Sequence, residues 1–296
     1  MTQAANLREE KKSGRLLASR SIFRATAFNH LSYGVRNYAE TRDWYMDIFG
    51  MDCVYDDGLQ ASVAFGYPRR EITIRKRDEP PVPCWDHWAF SIADFDAEQV
   101  HQALVKWGID GVAWDGDLAW HARDDNGFLT QICAEAGVFP GAATGGWNTE
   151  GKIPSGAKRS RPAKTGWKAT GINHVSYGVP DYGRTRDFYI DLFGMRVAFE
   201  DGIKCALSFG ANPEDSLYIV PRADGPVIDH IAVSIADFDL TETEKAIRRL
   251  GLAYSADGDS AWTLTDPNGR VVQVCAETGV YPGAALDFFH QTRTKR

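Results

Sequence analysis

The chain has 296 residues and a formal net charge of −7, with 44% hydrophobic and 25% charged residues. This composition is typical of globular protein, and the acidic balance argues against general binding to nucleic acid. No apolar stretch approaches the roughly 20 residues of a membrane-spanning helix, and the five cysteines do not form a disulfide framework pattern. We therefore expect a cytoplasmic protein that acts on a small molecule, without nucleic acid or membrane partners. Assembly into a homo-oligomer is left open.

The first half of the chain alternates strand and helix patterns in a regular order. Residues 1–25 are polar and aperiodic and predict a mobile tail. A strand from residue 28 to 35 is followed by an amphipathic helix over 38–49, and short strands are predicted around 51–55, 60–65 and 71–75. The order then repeats, with a strand over 85–92, a helix over 97–107 and strands around 111–114, 118–123 and 129–134. Each unit therefore has the order βαβββ.

The whole pattern then occurs a second time. Asn-His-Leu-Ser-Tyr-Gly-Val at 29–35 returns as Asn-His-Val-Ser-Tyr-Gly-Val at 173–179, and Ser-Ile-Ala-Asp-Phe-Asp at 91–96 returns unchanged at 234–239. Gln-Ile-Cys-Ala-Glu at 131–135 likewise returns as Gln-Val-Cys-Ala-Glu at 273–277. Such self-similarity indicates an internal duplication. We expect domain 1 over 26–139, a linker over 140–171, domain 2 over 172–282 and a tail over 283–296.

The predicted fold class is α+β. Four βαβββ modules would pair into two cup-shaped, partly open β-barrel domains with helices outside. Alternate side chains of a strand share a face, so His30 lies opposite the apolar residues that must cover the helix. The same reasoning places His87 and Gln131 on the concave face of domain 1. Paired imidazoles opposite a polar strand have metal-ligand chemistry.

The sequence resembles the vicinal oxygen chelate superfamily over residues 28–136 and 172–278. The motifs are Asn-His-Val at 173–175, Arg-Asp-Phe-Tyr at 186–189 with Leu-Phe-Gly at 192–194, Asp-His-Ile-Ala at 229–232, and Asp-Pro-Asn-Gly at 266–269. The superfamily includes glyoxalase I, methylmalonyl-CoA epimerase, antibiotic-resistance proteins and extradiol ring-cleaving dioxygenases. Four modules in one chain look most similar to the two-domain extradiol enzymes.

The resemblance implies a divalent metal, with Fe(II) favoured and Mn(II), Zn(II) or Ni(II) as alternatives. The family's two histidines and one glutamate correspond, position by position, to His30, His87 and Gln131 in domain 1 and to His174, His230 and Gln273 in domain 2. Glutamine in place of glutamate removes an anionic ligand, although an amide carbonyl can still coordinate. Glu135 and Glu277 lie four residues further along the same face and are the alternative third ligands. Register in the family favours the glutamines.

Two further expectations concern catalysis and substrate. The resemblance calls for an acid-base histidine near the third strand of the first unit, which neither domain has. It also calls for a tyrosine six residues before the turn glycine, where domain 1 has His121 and domain 2 has Thr263. We predict that His121 and Arg123, with Arg75 on a neighbouring strand, act on an enolate or phenolate, unless His121 and Arg123 are rim residues. The predicted substrate-binding residues are Trp88, Trp120, Tyr218 and Trp262, unless the tryptophans belong to the core.

Three functions follow from these features. The first is a metal-dependent dioxygenase that acts on a small phenolic or enolic, preferably aromatic, substrate chelated through neighbouring oxygens. The second is a metal-dependent isomerase, lyase or hydrolase of the same superfamily that uses no oxygen. The third is a ligand-binding protein of the resistance type without turnover. We expect only one domain to turn over substrate, with a slight preference for domain 1 because of His121.

Overall fold

The computed structural model describes residues 21–66, 69–115, 119–134, 160–210, 215–258 and 260–277. Each domain is built from eight strands and two helices within these ranges. In domain 1 these are β1 Ala25–Val35, α1 Tyr38–Phe49, β2 Asp52–Asp56, β3 Gln60–Phe65, β4 Arg70–Lys76, β5 Cys84–Ile92, α2 Ala97–Trp107, β6 Ala113–Trp114, β7 Ala119–Arg123 and β8 Leu129–Ala134. In domain 2 they are β9 Ala169–Val179, α3 Tyr182–Phe193, β10 Arg196–Glu200, β11 Cys205–Ser208, β12 Ser216–Pro221, β13 Val227–Ile235, α4 Leu240–Arg249, β14 Tyr254–Asp257, β15 Ala261–Thr265 and β16 Val271–Cys275.

Both domains have the same sheet topology. The strand order is β2-β3-β4-β1-β5-β8-β7-β6 in domain 1 and β10-β11-β12-β9-β13-β16-β15-β14 in domain 2. The first strands of the two modules, β1 and β5, pair antiparallel at the centre of the sheet. Each also pairs in parallel with the last strand of its own module, β4 or β8. The end strands β2 and β6 are not paired with each other in the described ranges, so the sheet is an open cup, and the predicted α+β fold class is confirmed.

The helices begin and end where local chemistry predicts. The side chain of Asn37 accepts a hydrogen bond from the Glu40 amide and caps α1, while Gly50 ends this helix with φ 62° in the left-handed region. A Cβ at Gly50 would lie 2.7 Å from the Trp167 carbonyl oxygen, so this turn also requires a residue without a side chain. Trp167 packs on Phe49 with ring centroids 6.0 Å apart. The end of the predicted linker therefore contacts domain 1.

The two domains share one hydrophobic core. Aromatic side chains on the convex side of one sheet contact the other domain: Phe28 lies 4.9 Å from Phe209, and Trp88 lies 4.7 Å from Tyr177, measured between ring centroids. Residues Ile22 and Phe23, within the predicted tail, donate backbone hydrogen bonds to α3 of domain 2. Burial of these large rings against one another supplies the main attraction between the domains.

Two buried tyrosines also connect the domains in a reciprocal way. The hydroxyl of Tyr33 in domain 1 donates to Asp266 in domain 2 at 2.7 Å, and the hydroxyl of Tyr177 in domain 2 donates to Asp124 in domain 1 at 2.7 Å. Both aspartates begin the turn before the last strand of their domain. The turn of each domain is thus held by the other domain. This arrangement follows the duplication that the sequence predicts.

Candidate functional site

Neighbouring strands place the polar residues of domain 1 in rows on the concave face. His30 on β1 stands beside Glu71 on β4 and Ala89 on β5, and Ala89 stands beside Gln131 on β8. Residues directly opposite one another in a sheet project to the same side. His87 lies two residues before Ala89 on β5, so its side chain belongs to the same face.

The two imidazoles of domain 1 meet through their Nε2 atoms, which are 3.0 Å apart. On the other side of each ring, His30 Nδ1 lies 2.8 Å from Asn29 Oδ1, and His87 Nδ1 lies 3.0 Å from Asp86 Oδ2. A carboxamide oxygen accepts hydrogen bonds and an ionised carboxylate does the same, so both Nδ1 atoms donate. The contact with His87 is the main reason that the pKa of Asp86 is lowered to about 2. The Nε2 lone pairs of two neutral rings therefore face each other.

This geometry fits a metal ion. Two nitrogens that are each about 2.1 Å from one ion, with about 90° between the bonds, are separated by about 3.0 Å. Hydrogen bonds from Nδ1 to carboxamide or carboxylate oxygens are the usual way in which ligand imidazoles are oriented. Desolvation in the core also lowers the pKa of His87. His30 and His87 are thus presented as two adjacent neutral ligands.

The third ligand of the predicted set is an amide with an oriented carbonyl group. Gln131 Nε2 donates to Asp115 Oδ2 at 2.5 Å, which leaves Oε1 with only a weak contact to the Cys133 thiol at 3.4 Å. Within the described ranges, no three His, Cys, Asp or Glu side chains come close enough to hold an ion together. Gln131 is of another residue type, and it stays the predicted third ligand on this face.

Domain 2 repeats the arrangement. His174 Nε2 and His230 Nε2 are 3.0 Å apart, and their Nδ1 atoms lie 2.9 Å and 3.1 Å from Asn173 Oδ1 and Asp229 Oδ2. The amide nitrogen of Gln273 donates to a carboxylate on β14, as Gln131 does in domain 1. Its carbonyl oxygen Oε1 is buried without a hydrogen-bond partner. A buried acceptor of this kind is costly unless it binds a donor or a cation.

The aspartates that hold the two glutamines were not predicted from the sequence. Asp115 and Asp257 each belong to an Asp-Gly-Asp sequence, at 115–117 and at 257–259. This repeat between the two copies was the available signal, and it lies at the same distance before each glutamine. The glutamine and aspartate therefore form a pair that is present in both domains.

A second residue that was not predicted is Glu71 of domain 1. It is fully buried, and its carboxylate accepts hydrogen bonds from Ser62 and Arg69. Desolvation raises the pKa of Glu71 to about 7, against the opposing effects of Arg69 and Ser62. The corresponding position beside His174 in domain 2 is Ser216. Alternation of polar and apolar residues over 71–75 was the signal that places Glu71 on the concave face.

The two predicted catalytic residues, His121 and Arg123, lie in different places. The ring of His121 lies 5.1 Å from that of His87, and burial is the main cause that lowers the pKa of His121 to about 4. Arg123 is exposed and donates to the Gly127 carbonyl at 2.7 Å. The structure therefore brings His121 to the imidazole pair and places Arg123 at the rim, which was the alternative for that residue.

Three of the four predicted substrate-binding residues lie on the opposite face of the sheet. Trp88 is fully buried and contacts Tyr177, so it belongs to the core between the domains. Trp120 and Trp262 donate from Nε1 to carbonyl oxygens at the start of α2 and α4, at 2.8 Å in each case. Each tryptophan is therefore a packing residue, because its strand position alternates with that of the histidines. Tyr218 differs, since its ring lies 6.1 Å from that of His174.

The two alternative glutamate ligands have different positions. Glu277 is exposed and follows the end of β16. Gln273, in contrast, is buried and lies in the same row of the sheet as His174. Glu135 lies outside the described residues. Gln273 therefore stays the predicted third ligand of domain 2, as the family register implies, with Glu277 as the alternative.

Comparison with known proteins agrees with this architecture. Residues 171–251 match the model of the Glyoxalase/Bleomycin resistance protein/Dioxygenase superfamily. The resemblance to the vicinal oxygen chelate superfamily is thereby confirmed. No curated protein sequence matched the chain.

Among solved structures, similar folds occur in a variant of homoprotocatechuate 2,3-dioxygenase from B. fuscum and in the Mn(II)-bound glyoxalase from Novosphingobium aromaticivorans. The first is 16% identical with a TM-score of 0.64, covering 89% of this chain and 75% of that one. The second is 19% identical with a TM-score of 0.63, covering 86% and 83%. Homoprotocatechuate 2,3-dioxygenase from Arthrobacter globiformis is 14% identical with a TM-score of 0.64, covering 92% and 87%. At these identities the likeness concerns the fold. No described helix is long and apolar enough to cross a membrane.

Proposed function

We propose that domain 1 is a metal-dependent enzyme that catalyses proton transfer on a small substrate bound through two neighbouring oxygens. His30, His87 and the carbonyl oxygen of Gln131 would hold the ion. The observation that carries this proposal is the distance of 3.0 Å between the two Nε2 atoms. The Nδ1 atom of each ring contacts a hydrogen-bond acceptor, which fixes the orientation of the imidazole. When bound, a divalent ion supplies Lewis acidity, which polarises the substrate oxygens and lowers the pKa of an adjacent C–H or O–H group.

The charge of the ligand set favours this class of reaction over oxygen activation. Two imidazoles and one amide are neutral, whereas the 2-His-1-carboxylate set of non-haem iron oxygenases carries one negative charge. A neutral set leaves the full charge of the ion to act on the substrate. Asp115 supports this set by holding the amide nitrogen of Gln131, so that the carbonyl oxygen is the free end.

Proton transfer also needs a base, and domain 1 has one on the same face. Glu71 stands directly beside His30 on the neighbouring strand, about 4.8 Å away at the backbone. Ser62 and Arg69 hold its carboxylate, so it is oriented before substrate binds. We propose that Glu71 takes the proton from the substrate carbon and returns it at the neighbouring carbon. Because Ser216 occupies this position in domain 2, turnover is assigned to domain 1.

The proposal is tested by metal content and by proton exchange. Elemental analysis should find bound metal that decreases in both His87→Ala and His230→Ala, while only His87→Ala should lose activity. Hydroxyacetone serves as an enolisable probe, and NMR should show metal-dependent exchange of its methylene protons with D₂O. Glu71→Gln should abolish exchange and keep the metal, and Glu79→Gln, at an exposed position, should be unchanged. Metal content unaffected by His30→Ala together with His230→Ala would refute the sites in both domains.

Ring cleavage of a catechol-type substrate is the second candidate, and its support is the fold shared with the homoprotocatechuate 2,3-dioxygenases. Iron-loaded protein that consumes oxygen with 3,4-dihydroxyphenyl compounds would establish it and would contradict the proton-transfer proposal. Binding of such compounds with neither oxygen consumption nor proton exchange would support the third possibility, a ligand-binding protein without turnover.

A further inference from the structure

A guanidinium group distinguishes the concave face of domain 1 from that of domain 2. Arg75 is on β4, four residues after Glu71, so it projects to the same side of the sheet. It stands beside Gly34 of β1, two residues beyond Ser32. The equivalent position beside Gly178 in domain 2 is Val220. This guanidinium is therefore present in only one copy of the duplicated face, whereas domain 2 has the Lys204 ammonium group 5.8 Å from the ring centroid of Tyr218.

Arg75 makes no ion-pair contact in the part of the chain that the structure describes, although its charge helps to lower the pKa of the nearby Asp86. Its Nε atom is buried without a hydrogen-bond partner, and no ion pair of the described residues includes it. The direct contact to Asp86 comes from Arg77 instead, which donates to this carboxylate at 3.2 Å. A partly buried guanidinium usually pairs with a carboxylate or phosphate, which it binds through two parallel N–H groups.

Two hydroxyl groups on the same face also lack partners. Ser32 Oγ and Thr73 Oγ1 are buried without hydrogen bonds, and both side chains are fully inaccessible to solvent. Ser32 stands between Thr73 and His87 in the sheet, so this polar group adjoins the imidazole pair. Native proteins rarely leave three neighbouring buried donors unsatisfied. An acceptor group of a bound molecule would satisfy them.

We propose that Arg75, together with Ser32 and Thr73, binds a carboxylate of the substrate. The substrate of domain 1 would then carry this anionic group in addition to its two neighbouring oxygens. The inference rests on the proposed function for the position of those oxygens, at the imidazole pair. It adds the substrate class, which is a carboxylate-bearing chelating compound.

A matched pair of probes tests this proposal. Catechol and 3,4-dihydroxybenzoate have the same neighbouring oxygens and differ by one carboxylate. Calorimetry on the full chain loaded with Mn²⁺ should show that 3,4-dihydroxybenzoate binds about 10- to 100-fold more tightly, as expected for one charge-assisted contact. Arg75→Met should bring the two dissociation constants within about twofold while leaving that of catechol unchanged.

Control variants distinguish an effect of the Arg75 charge from a general effect of the substitution on folding. Arg75→Lys keeps the charge and should retain part of the preference, whereas Lys106→Met removes an exposed positive charge from the same domain and should retain all of it. Equal affinities in the wild type, a preference that survives Arg75→Met, or no binding of either probe would overturn the proposal.

Repeating the titration without metal distinguishes this proposal from the proposed function. The preference for the carboxylate should persist when Mn²⁺ is removed, because Arg75 is not among the proposed ligands. Protein that binds no metal but keeps an Arg75-dependent preference would refute the proposed function alone. Protein that binds metal and catechol without that preference would refute the carboxylate site alone.

Discussion

Replacing Glu71 with glutamine should make the protein less sensitive to high pH. Burial raises the pKa of Glu71 from 4.5 to about 7. The folded chain therefore binds one more proton than the unfolded chain between these two pH values. The contribution of Glu71 is fully present below about pH 4.5 and is lost as the pH rises through about 7. Integrated over that range, the loss is about 3 kcal/mol of unfolding free energy.

Glutamine has nearly the same shape and cannot ionise, so Glu71→Gln should not show this loss. Unfolding by urea would be measured for both proteins at intervals from about pH 4 to about pH 8.5. The unfolding free energy of the variant, minus that of the wild type, should rise by about 3 kcal/mol across this pH range. All other groups titrate in both proteins, and their contributions cancel in the difference. The exposed control Glu79→Gln should give a flat difference. If the difference in unfolding free energy between Glu71→Gln and the wild type stays constant or falls as the pH rises, the placement of this carboxyl in a desolvated site is refuted.

Three other outcomes are expected. In a His87→Ala background, Gln273→Leu should remove metal from domain 2, whereas Glu277→Ala should retain it. Elemental analysis measures both, and the reverse result would refute Gln273 as the third ligand. Tyr33→Phe should cost about 2 kcal/mol of unfolding free energy, because no other hydroxyl of the described residues donates to the carboxylate oxygen that it contacts. Tyr177→Phe should cost only about 1 kcal/mol, because Tyr189 still donates to the same oxygen of its aspartate; equal costs in urea unfolding would contradict this assignment.

Much of the architecture follows directly from the sequence. Helices α1 and α2 begin and end at the predicted residues, because capping residues and terminal glycines are local signals. The imidazole pairs were predictable because strand parity and the duplication point to the same face. The domain boundaries stay predictions.

The missed features depend on contacts between distant strands or domains. Glu71 was not predicted, because the family resemblance implies a histidine in this region, although the alternating pattern of β4 already assigns Glu71 to the concave face. The substrate-binding prediction for Trp88 conflicts with parity, since Trp88 adjoins His87 and so must point the other way. The partner of Tyr33 could not be deduced, because nothing local indicates which turn of the other domain reaches it.

The reciprocal tyrosine contacts have a consequence for how the two copies can diverge in evolution. The turn that Tyr177 holds leads directly into the strand carrying Gln131, and the turn that Tyr33 holds leads into the strand carrying Gln273. Each domain therefore acts as a scaffold for the other's polar strand. Under the proposed function, Ser216 and Val220 leave the second cup without counterparts of Glu71 and Arg75, but loss of that cup's framework would also disturb the first. A copy without turnover would then be retained by selection on its neighbour, and its shape would outlast its reactive side chains.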